Sequence, residues 1–147
     1  MRNLTSTRTN SRCIGTNMWP FIRDSTIVRL STDTQQLHVG DIVQIRKSKA
    51  AILHRIIRKR GVHYLLKGDG ESTVDGWYDQ KSIPGVLVGI YTKHAYIDAC
   101  KISFRRMNAF AAGISRMTIG KPWLISSLQF ICSIQLLRNV AKFIVSQ

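Results

Sequence analysis

His54, Asp69 and Asp75 are the residues of this chain whose types and spacing could move a proton. His54 lies inside the apolar run Leu53-His54-Arg55-Ile56-Ile57, and the two aspartates follow in the turn-rich block from Lys67 to Asp75. Strand alternation would put His54 and Ile56 on one face and Leu53, Arg55 and Ile57 on the other. A lone histidine on a strand is more often a satisfied core or surface residue than a catalyst. A carboxylate accepting one ring N–H shifts that balance, because it fixes the tautomer and supports the imidazolium that general-base chemistry forms. The residues between His54 and the aspartates read as a hairpin, which could return the chain beside the histidine. The Gly68-Asp69-Gly70 turn alone is a weak signal, and Asp41 in Val39-Gly40-Asp41-Ile42-Val43 is expected to have only a turn-forming role.

A further stretch, Met18-Trp19-Pro20-Phe21, is suited to holding a reactive neighbour still. Proline locks its own φ and restricts the residue before it, and the apolar side chains would exclude water. Taken together, four blocks occur in an order that resembles the signal peptidase superfamily, which also includes the LexA-like repressors. They are Gly15-Thr16-Asn17-Met18-Trp19-Pro20, Gly40-Asp41-Ile42-Val43, His54-Arg55, and Lys67-Gly68-Asp69 with Asp75. The resemblance covers roughly Ile14 to Ile90. In that family the first block looks like G-x-S-M-x-P; Gly15, Met18 and Pro20 match it, and Asn17 stands at the serine. His54 at the base position is similar to the histidine-type endoplasmic-reticulum and archaeal branch and unlike the lysine-type bacterial branch.

The resemblance implies a mainly β domain and a serine endopeptidase acting on a peptide or preprotein, with no metal or cofactor. A serine would attack, His54 would be the base, Asp69 or Asp75 would orient it, and Met18, Trp19 and Pro20 would border the substrate. Asn17 departs from this scheme. Its amide cannot replace a serine hydroxyl, and loss of a triad nucleophile costs orders of magnitude in rate, so an impaired or inactive peptidase is expected. Thr16 has a hydroxyl one residue out of register. The alternative is a peptide-binding pseudo-protease that adds an extended peptide as a strand.

The elements that must position these residues are short β-branched and aromatic runs at 26–30, 42–46, 51–57, 62–66 and 86–91, which read as strands. Turn signals separate them, with Arg58-Lys59-Arg60-Gly61 fitting a hairpin connection. From about Ser103 apolar residues recur at helical spacing, broken at Gly120-Lys121-Pro122, which predicts two helices. The expected organisation is a basic polar tail over 1–13, a signal-peptidase-like β domain over 14–100 and a helical segment over 101–147.

With 147 residues the chain is sized for one domain. Its 22 Lys+Arg against 8 Asp+Glu give a net charge of +14, which favours anionic partners. All eight acids lie between Asp24 and Asp98, whereas residues 99–147 hold seven Lys/Arg and no acid. A basic β domain stacking bases on His63, Tyr64, Trp77 and Tyr78 is the nucleic-acid reading; core and rim packing explains those aromatics better, so nucleic acid is not the expected partner. Cys13, Cys100 and Cys132 are too widely spaced for a zinc knuckle or a closed disulfide set. The first fifteen residues hold no apolar run of the kind a secretory signal or membrane anchor requires, so a cytoplasmic or peripherally membrane-associated protein is expected. The run from Trp123 to Val145 is apolar around most of a helix, and either packs on the β domain or meets a membrane, in its plane or across it.

Overall fold

The computed structural model describes residues 7–12, 17–19, 21–47, 50–92, 95–127 and 130–131. The β-branched runs of the sequence join, among the described residues, into one antiparallel sheet of eight strands that curls into a half-barrel. The strands are β1 (Arg8–Arg12), β2 (Ile27–Ser31), β3 (Ile42–Lys47), β4 (Ala50–Arg60), β5 (His63–Lys67), β6 (Gly76–Asp79), β7 (Gly85–Tyr91) and β8 (Tyr96–Asp98). Their order across the sheet is β1-β2-β7-β3-β4-β5-β6, and β8 pairs with the end of β7 beyond β3. One helix, α1 (Ile102–Met117), follows, and residues 122–127 are helical again.

The alternation of side chains in β3, β4 and β5 builds two cores, one on each face of the sheet. Val43, Ile45, Ile56, Tyr64 and Leu66 fill one, while Ile42, Leu53, Leu87 and Ile90 join Met18 and Ile22 in the other. In the register Val43 faces His54 and Ile42 faces Arg55, so the two neighbours His54 and Arg55 project to opposite faces, as the alternation predicts. Bulges between Arg29 and Leu30 and between Ile56 and Arg58 increase the local twist, which suits closure toward a barrel.

α1 covers the Arg55 face of β4 with Asn108, Ala111, Ala112 and Ser115, one buried stripe at spacings of three and four residues. Those residues are small, so the helix backbone comes close. At Gly40, which has a φ of +100°, a Cβ would lie 2.8 Å from the backbone of Asn108 and Ala109. Only glycine combines that φ with that contact.

The structure departs from the expected boundaries in three places. Arg8–Arg12, read as tail, pairs with β2 in full register. β4 runs through Arg60, so the hairpin turns at Gly61 and Val62 and the basic residues 58–60 stay in the strand. β6 and β8 come from runs too short to show alternation. The expectation for Trp123 to Val145 falls mostly outside the described residues; among those described, no helix is long and apolar enough to cross a membrane.

Candidate active site

His54 enters the site from the middle of β4, with no exposed surface. After β5 the chain turns through Gly68 to Val74, and the Asp75 N–H bonds the Leu66 carbonyl at 2.9 Å, anchoring Asp75 just ahead of β6. This places the Asp75 Oδ2 in direct contact with His54 Nδ1. A carboxylate at Nδ1 favours the tautomer with the proton there, which leaves the Nε2 lone pair directed at Asn17. That nitrogen meets the Nδ2 of Asn17 at 3.4 Å, and Glu71 Oε1 lies 3.8 Å from it. Lys47, at the end of β3, donates to the other Asp75 oxygen at 2.7 Å. Lys47, Asp75, His54 and Asn17 therefore form one polar chain from the end of β3 to the turn that follows β1.

The backbone of Asn17 is held as firmly as its side chain. Its carbonyl oxygen accepts the Gly70 N–H at 2.8 Å, and a Cβ at Gly68 would come within 2.8 Å of the same oxygen. Downstream, Phe21 and Ile22 both donate their N–H groups to the Met18 carbonyl at 2.9 Å, forming a helical turn. Met18 is buried at 1% exposure, Trp19 is half-buried, and Pro20, with Gly15 and Thr16, lies outside the described residues. Met18 thus anchors the turn in the core and does not itself border an open surface.

Burial, then the charges of Lys47 and Lys67, lower the His54 pKa from 6.5 to about 4. The imidazole is consequently neutral at pH 7, the form a general base requires. Lys67 is itself lowered by burial, against the opposing pull of Asp69 and Glu71, and donates to the Gly68 carbonyl at 3.1 Å and Ser115 Oγ at 3.2 Å.

Asp69 is placed elsewhere. It sits on the α1 side of the sheet, where Arg55 grips both its oxygens, Nε at 2.9 and 3.0 Å and Nη2 at 2.7 Å. The remaining nitrogen, Nη1, donates to the Gly40 carbonyl and Asn108 Oδ1, both at 2.9 Å. The Phe21 ring stacks on this guanidinium at 5.1 Å. Of the two aspartates left open by the sequence, Asp75 meets His54 and Asp69 neutralises Arg55.

His54, Glu71 and Asp75 also present ligand atoms within 4.8 Å of one another and could hold a metal ion. Lys47 already holds the Oδ1 of Asp75, so an ion bound there would share the carboxylate with a lysine cation. Of the aromatics considered for base stacking, Tyr64 is buried at 1% exposure, and Trp77 is exposed with the Arg60 guanidinium over its ring at 5.4 Å. Sequence reasoning missed Lys47, which its parity with Val43 and Ile45 in β3 could have revealed. It also missed Asn108 and Ser115, whose signal is polar residues one heptad apart in an otherwise alanine-rich stripe. No protein-family model, curated protein or solved structure matches this chain.

Proposed function

We propose that the chain is a signal-peptidase-like protein that receives an extended peptide over a Ser/His/Asp-type site, and that it is impaired as a serine endopeptidase because Asn17 occupies the nucleophile position. The observation that carries this reading is the contact chain from Asp75 through His54 to Asn17. A serine at residue 17 would present its hydroxyl toward a neutral Nε2 whose partner nitrogen is already held by a carboxylate, the arrangement that activates an alcohol. Asn17 offers an amide there, which does not ionise. An open apolar groove of about 940 Å³ begins at Phe21 and Ile22, on the turn after Asn17, and runs between Ile27, Ile90, Ile97 and Phe104. Its lining includes Ile42 and Asn108 on the Arg55 face of the sheet, so it reaches the His54 site only through the turn that carries Asn17 and Phe21.

The test is Asn17→Ser. Assayed on a mixed peptide library, the variant should hydrolyse peptide bonds, and adding His54→Ala should abolish that activity. A folded Asn17→Ser protein that cuts nothing but still binds peptide would favour the pseudo-protease alternative; one that does neither would refute the reading.

A further inference from the structure

We infer that Asn17 is the nucleophile of a slow self-cleavage, in which its side-chain amide attacks its own main-chain carbonyl and severs the Asn17–Met18 bond. The inference rests on the same His54–Asp75 site as the proposed function, but needs no external peptide. Three observations converge on it. Asn17 Nδ2 stands 3.4 Å from His54 Nε2, a contact that puts a base beside the amide protons, and such contacts are often this long before reaction. The carbonyl oxygen of the same residue already accepts the Gly70 N–H at 2.8 Å, a donor placed where negative charge would develop as the carbon turns tetrahedral. On the leaving side, Met18 is buried at 1% exposure and its carbonyl is pinned by Phe21 and Ile22, so the departing nitrogen sits on a fixed turn. Attacking nitrogen and attacked carbon belong to one residue, which makes ring closure intramolecular.

The step balances without a co-reactant. The Nδ2 lone pair bonds to the main-chain carbon of Asn17, and the nitrogen, made cationic by that bond, loses one proton to His54 Nε2. The five-membered tetrahedral adduct then collapses, the bond from that carbon to the Met18 nitrogen breaks, and the imidazolium returns its proton to that nitrogen. The products are residues 1–17 ending in a cyclic imide and residues 18–147 beginning with a free Met18 amine, with masses that sum to the intact chain. Because β1 is paired with β2 along its whole length, the fragments stay associated in the folded protein.

The purified full chain should be held at neutral pH for several days and sampled by intact-mass spectrometry under denaturing conditions. Both fragments should accumulate together, and neither should form in Asn17→Ala or Asn17→Asp. His54→Gln should slow the reaction about a hundredfold, the usual scale of a lost general base, with an unchanged circular-dichroism spectrum. Should His54→Gln fail to fold, Asp75→Asn provides the same comparison. The proposal is overturned if the chain stays intact, if residue 17 merely gains the mass of a deamidation, or if cleavage proceeds as fast without His54. In each of those cases the Asn17→Ser assay still decides the peptidase reading independently.

Discussion

An imidazole between a buried carboxylate and an amide behaves differently from one in water, and the two aspartates near His54 show how the difference arises. Asp75 touches Nδ1, whereas Asp69 neutralises Arg55 on the far face. The two should therefore separate under mutation. In the Asn17→Ser background, Asp75→Asn should lower kcat by about 10⁴-fold through loss of the correct tautomer, with little change in stability. Asp69→Ala should instead cost about 3–5 kcal/mol in urea unfolding, because it strands a buried guanidinium. A second consequence concerns pH. The folded-state pKa of His54 lies near 4 against 6.5 in its ordinary state, so the unfolded chain binds the proton first as pH falls. The stability held by the neutral imidazole is complete above about pH 6.5 and lost toward pH 4, a difference of about 3 kcal/mol. Urea titrations across that window should show the loss, and a folded His54→Gln variant should not. Which face His54 occupies was legible from alternation in β4. Which aspartate it meets was not, because that depends on how the chain between Gly68 and Val74 folds back, and no local pattern encodes it.

At the scale of elements, the polar staples between sheet and helix explain how a chain with such small residues on its buried helical stripe keeps the site in place. Arg55 reaches Asn108 and Lys67 reaches Ser115, so α1 is fastened to the strands that carry His54 and lead into the Asp75 loop. Asn108→Ala leaves one Arg55 N–H without this acceptor and should cost about 1–3 kcal/mol by chemical denaturation. Gly40→Ala meets both a positive φ and the helix backbone, and should cost at least that much; a variant as stable as the parent would show that the helix does not need this close approach. The five longer runs of β-branched residues announced their strands. β1, β6 and β8 did not, since Arg8-Thr9-Asn10-Ser11-Arg12 is polar throughout and the other two have four and three residues. Their strand state comes from pairing with neighbours, a tertiary influence that outweighs local propensity.

For the whole molecule, charge is the dominant fact that composition alone supplied. A net charge of +14 on 147 residues means mutual repulsion in the folded state, which salt relieves. Raising ionic strength from about 0.01 M to about 0.15 M shortens the screening length from roughly 30 to 8 Å, so Tm should rise over that range. A flat or falling Tm would mean that the ion pairs of Lys47 and Arg55 outweigh the repulsion. The mainly β architecture was likewise legible from runs and turns, and so was the placing of helical structure after the sheet. The site itself was legible only as a set of candidates, because its geometry joins Asn17 to His54, 37 residues later, and His54 to Asp75 across the following hairpin. The most direct test is covalent. The Asn17→Ser protein is treated with a serine-directed phosphonate probe and the adduct is located by mass spectrometry. Labelling at residue 17 that disappears with His54→Ala is the predicted result; no label at residue 17, or label indifferent to His54, would contradict the account.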